Sequence, residues 1–189
     1  MPIEANTSEQ LLAQRLRHHE KEAMQQFYAL YAGRMQAVCS RYISDRDDQQ
    51  DVLQETLIKV FTRIDDFQFR GNGSLRAWAT RILINEALSL LMKKKQLRKV
   101  LIEGDVGDEP EDDDPPIDDM PAEVVHQMVS QLPTGYRTVF NPYVFEQKSH
   151  REIARLLGIS EKTSSSQLCK AKNQLARMIN QYRTQKPPR

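Results

Sequence analysis

Residues 149–163 read SHREIARLLGISEKT, and they carry the clearest structural pattern in the carboxyl-terminal part of the chain. Ser149 and Glu152 fit a capping box, in which two side chains satisfy backbone N–H groups at the start of a helix. Gly158 stands where a helix ends in the left-handed conformation that glycine adopts without steric cost. Ser160 is a preferred N-cap residue for a further helix. The stretch therefore predicts two helices joined by a short glycine turn.

This order of cap, short helix, glycine turn, cap and longer helix is the helix-turn-helix pattern. On the second helix an apolar row is expected to face the core, namely Leu168, Ala171, Leu175 and Ile179. The remaining surface near its N-terminus carries Lys162, Thr163, Ser165, Ser166 and Lys170. In a helix-turn-helix these positions reach base edges in the major groove, so we expect duplex DNA binding. A helical hairpin with a purely structural role is the alternative.

Charged residues are segregated along the chain, although its net charge is only +1. Residues 1–100 carry 16 basic and 12 acidic side chains, and residues 137–189 carry 11 basic and 3 acidic ones. Residues 101–136 carry 11 acids and neither Lys nor Arg. Two basic parts favour polyanionic partners. The acidic middle is rich in proline and poor in apolar residues, so a disordered, flexible linker is expected there.

Outside this linker the chain is predicted to be helical, because glycine is scarce and apolar residues recur at spacings of three and four. We expect helices over about 7–18 (with a capping box at Thr7 and Gln10), 21–43, 47–64, 75–95, 122–132, 136–145, 149–157 and 161–182. Pro142 is expected to kink or split one of them. The predicted fold is all-α, with an N-terminal helical bundle (1–100), an acidic linker (101–121) and a C-terminal helix-turn-helix domain (122–189).

The third predicted helix carries two contrasting faces. Its apolar stripe consists of Leu53, Leu57, Val60 and Ile64. A largely opposite face carries Asp51, Gln54, Glu55 and Ile58. An isoleucine among acids suits a contact with another protein. A solvated acidic face with one stray isoleucine is the alternative.

The next loop and helix combine aromatic and basic side chains. One stripe of the helix holds Ser74, Trp78, Arg81 and Asn85. Between Phe67 and Val100 there are eight basic residues and a single acid, Glu86. Aromatic rings that stack on bases and cations that follow phosphates are typical of single-stranded DNA sites. Trp78 taken alone is more often a core residue, and the lysines at 93–95 taken alone indicate a solvated helix end.

These segments, in this order, resemble the sigma-70 family of RNA polymerase sigma factors, specifically its small extracytoplasmic-function group. Residues 45–56 (DRDDQQDVLQET) resemble the family's segment that contacts core RNA polymerase. Residues 69–85 (FRGNGSLRAWATRILIN) resemble the segment implicated in the −10 promoter element. Residues 132–140 (LPTGYRTVF) together with residues 149–163 resemble the domain that binds the −35 element.

The resemblance implies roles for individual residues. Polymerase binding is expected from Asp51, Gln54, Glu55 and Ile58. Contacts with the unwound −10 strand are expected from Phe69, Arg70, Asn72, Ser74, Arg76, Trp78, Arg81 and Asn85, with a base captured by the loop that precedes the helix. Contacts with the −35 duplex are expected from Arg151, Lys162, Thr163, Ser165, Ser166, Gln167 and Lys170.

The implied function is to bind core RNA polymerase and to direct promoter recognition and transcription initiation. The expected partners are core RNA polymerase, promoter DNA (the −35 duplex and the −10 single strand) and an anti-sigma factor, with no cofactor or metal. A cytoplasmic location is expected, because no membrane-spanning run or secretory signal is visible and Cys39 and Cys169 suit reduced thiols.

The sequence features have three alternative explanations. A stand-alone helix-turn-helix regulator would bind duplex DNA without polymerase, and a sigma-like adaptor would bind polymerase without opening promoters. An enzyme is disfavoured, because the four histidines are scattered and none is at metal-ligand spacing with a cysteine.

Overall fold

The computed structural model describes residues 9–94 and 120–185, and the chain divides into two compact units, Met1–Leu90 and Leu91–Arg189. The described residues form eight α-helices and no strand, so the all-α prediction is confirmed. The helices are α1 (Glu9–Arg17), α2 (Lys21–Tyr42), α3 (Arg46–Thr62), α4 (Ser74–Lys93), α5 (Ala122–Gln131), α6 (Thr134–Val144), α7 (His150–Leu157) and α8 (Glu161–Gln185), with a short 3-10 turn at Ile64–Asp66. The predicted cap at Thr7, the linker up to residue 119 and the extension of α4 beyond residue 94 lie outside the described residues.

The first unit is held together by large apolar side chains from α1 to α4. Those that are almost completely buried include Leu12, Leu16, Phe27, Tyr42, Ile64, Leu75 and Leu83. The ring of Phe27 lies 4.9 Å from that of Tyr31 and 5.7 Å from that of Phe61, measured between ring centroids. Each such side chain contributes about 1.5–3 kcal/mol when it leaves water, so this core dominates the stability of the unit.

A buried amide joins the end of α2 to the start of α3. The Nε2 of Gln49 donates to the carbonyl of Ile43 at 2.8 Å, and its Oε1 accepts from Nε2 of Gln36 at 2.6 Å. Asp45 caps α3 by accepting from the backbone N–H of Asp48 at 3.0 Å. Because both ends of the Gln49 amide have partners, the burial of this polar side chain costs little.

The apolar stripe predicted on α3 is only partly correct. Val60 and Ile64 are buried, but Leu53 and Leu57 are half-buried. The buried face of α3 instead includes Thr56, whose hydroxyl donates to the carbonyl four residues earlier at 2.6 Å. A threonine whose hydroxyl donates to its own helix backbone can be buried without an unsatisfied polar group. The spacing of apolar residues does not predict the burial of such a threonine.

The helix-turn-helix predicted around Gly158 is confirmed. The Ser149 hydroxyl accepts from the backbone N–H of Glu152 at 3.3 Å, and the Glu152 carboxylate accepts from the backbone N–H of Ser149 at 2.9 Å. Gly158 has φ 65° and ψ 37°, and the Ser160 hydroxyl caps α8 by accepting from the N–H of Thr163 at 2.9 Å. The predicted core row is buried, namely Leu168, Ala171, Leu175 and Ile179.

Pro142 does not split α6, so that part of the prediction is wrong. The helix is continuous from Thr134 to Val144, and the proline lies buried in its last turn. At that position a proline interrupts one hydrogen bond near the end of the helix rather than a ladder that continues beyond it. Its carbonyl accepts from the backbone N–H of Lys148 at 3.0 Å, which ties the end of α6 to the segment leading into α7.

Removal of the N-cap of α7 is expected to destabilise the second unit. Ser149→Ala should lower the free energy of unfolding by about 1 kcal/mol, because a backbone N–H at the helix start loses its acceptor. Urea unfolding followed through the amide signals of α7 would measure this separately from the first unit. Ser165→Ala, at an exposed position of α8, serves as the control and should be nearly neutral.

The same capping box is expected to respond to acid. Hydrogen bonds from the hydroxyl and the backbone N–H of Ser149 lower the pKa of Glu152 below its ordinary value of 4.5, with Lys148 and Arg155 acting in the same direction. The carboxylate therefore stabilises the folded state. This contribution is fully present when the pH is above the pKa of Glu152 in the unfolded chain, and it is lost as the pH falls through its pKa in the folded chain.

The variant Glu152→Gln keeps a capping acceptor but has no carboxylate to protonate. The stability advantage of the wild type over this variant should be constant down to about pH 5 and shrink below it. Urea titrations at a series of pH values would measure the advantage, and a difference that stays constant to about pH 3 would contradict the prediction.

Candidate functional site

The acidic face predicted on α3 is exposed. Asp51, Gln54 and Glu55 are open to solvent, and Ile58 is 55 % exposed. Residues three and four apart on a helix share a face, so these four side chains form one continuous surface. Neither Asp51 nor Glu55 forms an ion pair with any other residue that the structure describes. The surface therefore combines two carboxylates, an amide and an apolar side chain available to a partner.

A groove beside this face was missed by the sequence analysis. It has a volume of about 790 Å³ and lies between α2 and α3. Its walls include the half-buried Leu53 and Leu57, and Gln54 joins it to the acidic face. Tyr28, which is also in its wall, is largely exposed. The sequence held one signal, the two leucines, but the groove exists only where α2 and α3 pack together.

A second cleft, of about 410 Å³, lies where the loop of residues 67–73 enters α4. We refer to this segment as the pre-α4 loop. Four of the eight residues predicted to contact the −10 strand line the cleft, namely Arg70, Ser74, Trp78 and Arg81. The other four, Phe69, Asn72, Arg76 and Asn85, are exposed but do not line it. The structure thus brings half of the predicted set into one concave site.

One wall of this cleft is aromatic. The ring of Trp78 lies 5.5 Å from that of Phe67, with an angle of 51° between the ring planes. Phe67 is buried, whereas Trp78 is half-buried, so the indole both packs on the core and remains accessible from the cleft. Arg70 and Arg81, both exposed, add positive charge beside the rings. This combination suits a base and the phosphates next to it.

The backbone of the pre-α4 loop has a defined shape. Gly71 and Gly73 adopt φ values of 108° and 92°, which residues with a Cβ atom rarely adopt. Ser74 closes the turn, because its hydroxyl donates to the carbonyl of Gly71 at 2.6 Å and accepts from the N–H of Arg70 at 3.2 Å. The glycines and the serine are therefore needed for the shape of the loop itself.

The predicted DNA-contacting side chains of the second unit are exposed to different extents. Lys162 and Ser165 are exposed on α8, as is Arg151 on α7. Thr163 and Ser166 are half-buried. Arg151, Lys162 and Ser165 are thus the most accessible of the predicted set.

Two of the predicted residues do not lie on the surface. Gln167 is 1 % exposed and Lys170 is 7 % exposed, so their expected placement among the accessible side chains of α8 is wrong. Gln167 lies three residues after the buried Ser164 and four before Ala171, which places it on the core-facing side of the helix. Lys170 follows one turn later on the same side. The buried sector of α8 is wider than its apolar row, which is why spacing alone misplaced these two residues.

A cluster around His150 links α6, α7 and α8. The imidazole stacks on Tyr143, with ring centroids 4.8 Å apart and 24° between the ring planes. Its Nδ1 lies 3.0 Å from the hydroxyl of Ser164, at the start of α8. These contacts fix the orientation of α8 against the two preceding helices, a role that the sequence analysis did not assign to His150.

Neither a membrane span nor a metal cluster is found in the part of the chain that the structure describes. No described helix is both long and apolar enough to cross a membrane. Over residues 9–94 and 120–185, no group of three or more His, Cys, Asp or Glu side chains is placed to hold a metal ion.

Several known proteins are similar to this chain in sequence. The ECF RNA polymerase sigma-E factor of Haemophilus influenzae is 26 % identical over 183 residues, which cover 91 % of this chain and 95 % of that protein. The RNA polymerase sigma-H factor of Pseudomonas aeruginosa is 25 % identical over 182 residues, which cover 90 % and 93 %. These relatives match this chain over nearly its whole length.

Two solved structures are also similar. CnrH in complex with the cytosolic domain of CnrY gives a TM-score of 0.44 at 23 % identity, covering 90 % of this chain and 96 % of that one. The sigma factor RpoE of Bartonella quintana, in complex with the anti-sigma factor NepR, gives 0.48 at 22 % identity, covering 82 % and 96 %.

The family descriptions match both units. Sigma-70 region 2 matches residues 27–96, which include α3, the pre-α4 loop and α4. Sigma-70, region 4, matches residues 122–175, which include the helix-turn-helix. The two segments together span about two thirds of the 189 residues, and they occur in the order that the sequence motifs predict. The chain therefore belongs to the sigma-70 family, in its extracytoplasmic-function group.

Proposed function

We propose that this chain is an extracytoplasmic-function sigma factor that binds core RNA polymerase and directs promoter recognition and transcription initiation. The observation that carries the proposal is that one chain matches both sigma-70 regions. We assign residues 1–100 to polymerase and −10 element binding, residues 101–121 to a linker, and residues 122–189 to −35 element binding.

Docking on polymerase is assigned to the acidic face of α3. Asp51, Glu55 and Gln54 can engage basic and polar groups, and the exposed Ile58 adds apolar area to the contact. The neighbouring groove between α2 and α3 extends this surface with Leu53 and Leu57. A partner helix that covered both would bury the apolar walls and leave the carboxylates at the rim, the usual arrangement of a protein interface.

Strand opening is assigned to the cleft beside the pre-α4 loop. Removing a base from the stacked duplex costs a few kcal/mol, which new contacts must offset. Stacking on an aromatic platform contributes about 1–3 kcal/mol per base, and the accessible face of Trp78 provides such a platform. Arg70 and Arg81 line the same cleft, and we assign them to the flanking phosphates. The cleft thus offers the groups needed to hold an extruded base of the non-template strand.

Recognition of the −35 duplex is assigned to the second unit. Its accessible candidates are Arg151, Lys162 and Ser165, with Thr163 and Ser166 partly accessible behind them. Arginine, lysine and hydroxyl groups bond both base edges and phosphates. Gln167 and Lys170 are left out of this set because they are buried.

The proposal leaves all catalysis to the polymerase, and it places the protein in the cytoplasm with its template. Core polymerase and promoter DNA are its working partners. We further propose an anti-sigma factor as its regulator, by analogy with the sigma factor RpoE, whose structure contains one. A stand-alone helix-turn-helix regulator is not favoured, because it leaves the region 2 match over residues 27–96 without a function.

The docking assignment predicts that the acidic face is needed for transcription. The triple variant Asp51→Ala/Gln54→Ala/Glu55→Ala should bind core polymerase about tenfold or more weakly, because three interface side chains are removed. Run-off transcription with core polymerase and genomic promoter fragments should lose the transcripts that the wild type gives.

The matched control is Glu22→Ala/Gln25→Ala/Glu123→Ala, which removes two carboxylates and one amide from exposed positions outside the docking face. It should transcribe like the wild type. If both triple variants lost their transcripts equally, the effect would be due to the change in net charge and not to the acidic face of α3. A wild-type chain that does not bind core polymerase at all would refute the assignment as a sigma factor.

The −10 assignment predicts a change in salt dependence at Arg81. Arg81→Ala in the holoenzyme should weaken binding to the single-stranded non-template −10 segment of a promoter that the wild type transcribes. The negative slope of log affinity against log salt should become shallower by about 0.7, the value for one phosphate contact on a single strand. Arg177→Ala, at an exposed position of α8, should leave that slope unchanged. An unchanged slope in Arg81→Ala would remove this arginine from the site.

A further inference from the structure

Helix α1 holds both ends of the pre-α4 loop. At the far end, Oε2 of Glu9 accepts from the backbone N–H of Gly73 at 2.6 Å and from that of Leu75 at 3.2 Å. At the near end, Nη2 of Arg17 donates to the carbonyl of Phe67 at 2.6 Å. The loop that forms the cleft is thus clamped between two side chains of one helix.

The contact from Glu9 supplies the cap that α4 lacks locally. The first N–H groups of a helix have no acceptor within the helix, and a side chain just before it usually provides one. Here the residue just before α4 is Gly73, which has no side chain, and the hydroxyl of Ser74 is engaged with Gly71 and Arg70 inside the loop. The acceptor comes instead from a carboxylate more than 60 residues earlier. A carboxylate at this position is also favoured by the helix dipole.

Both anchoring side chains have a second partner that orients them. Oε1 of Glu9 accepts from the hydroxyl of Tyr31 at 2.9 Å. Burial and that hydrogen bond raise the pKa of Tyr31 above its ordinary value of 10.0. Nε of Arg17 lies 4.0 Å from the carboxylate of Asp65, just before the loop. Each anchor is therefore held between the loop and a second element of the first unit.

The two anchors bear directly on the aromatic wall of the cleft. Arg17 holds the carbonyl of Phe67, whose ring packs on Trp78. Glu9 holds the backbone on either side of Ser74, which lines the cleft, and fixes Gly73 in its left-handed conformation. Without either anchor, the loop must become ordered when the base binds, which costs conformational entropy. The apparent affinity for the −10 strand is then reduced in proportion to the fraction of molecules whose loop already has the binding conformation.

We propose that Glu9 and Arg17 are positioning residues for promoter opening, which hold the pre-α4 loop in the shape that accepts a base. Helix α1 thereby helps to set how strongly the chain discriminates between −10 sequences. This inference rests on the proposed function, because it concerns the use of the same cleft. Neither residue contacts the DNA in this proposal, and both act through the loop.

The test uses the full chain with core polymerase and a promoter that the wild type transcribes. The variants are Glu9→Ala, Glu9→Gln and Arg17→Met, the last of which keeps most of the apolar stem. The matched controls are Arg15→Met and Glu20→Gln, which disrupt a 2.7 Å ion pair that also involves α1 but does not touch the loop. Promoter opening is read by permanganate reactivity of the −10 thymines, and core binding is measured separately.

Opening should fall about tenfold in Glu9→Ala and Arg17→Met, the effect of losing a hydrogen bond to a charged group, while core binding stays at the wild-type level. The ratio of opening at the parental promoter to opening at promoters with substituted −10 elements should also decrease. Glu9→Gln should retain part of the opening activity and part of this preference. Fluorescence of Trp78, the single tryptophan, should report a changed cleft in the anchor variants and not in the controls.

Opening at the wild-type level in both anchor variants would overturn the inference and leave the proposed function intact. A loss of opening that parallels a loss of core binding would also overturn it, because the anchors would then support the whole unit rather than the loop. Failure of the wild-type chain to open any promoter despite core binding would instead refute the proposed function, and the inference with it.

Discussion

The backbone N–H groups at the start of each helix need acceptors, and this requirement shapes both working surfaces of the molecule. In the helix-turn-helix of the second unit the acceptors are local, since Ser149 and Ser160 stand immediately before the helices that they cap. In the first unit α4 takes its acceptor from Glu9 on another helix. The helix-turn-helix is consequently defined by a short stretch of sequence, whereas the cleft beside α4 depends on the packing of α1.

This difference explains how much of the structure was predictable. The capping box, the glycine turn and the core row of α8 follow from residues within a few positions of one another, and all were predicted correctly. The anchoring of the pre-α4 loop joins residues 64 and 66 positions apart, so no local pattern could indicate it. The α3 stripe failed in part because Thr56 satisfies its hydroxyl within the helix and packs as an apolar residue would.

The functional surfaces were predictable to a lesser degree than the fold. Spacing placed Asp51, Glu55 and Ile58 on one exposed face, but their proposed assignment to polymerase binding rests on the family resemblance, since charge alone also suits a solvated helix. Gln167 and Lys170 show the limit of such reasoning. A row of apolar residues predicts which side of a helix is buried. It does not predict how many neighbouring residues are buried beside the row, because that depends on the helices that pack against it.

The long reach of the contacts from Glu9 and Arg17 also bears on the order in which the chain folds. They connect residues 50, 64 and 66 positions apart, and such contacts form late because the intervening chain must first lose entropy on closing. Every group involved nevertheless precedes α5, so translation delivers them all before the second unit emerges from the ribosome. The pre-α4 loop is accordingly among the last features of the first unit to form, and among the first to open on heating.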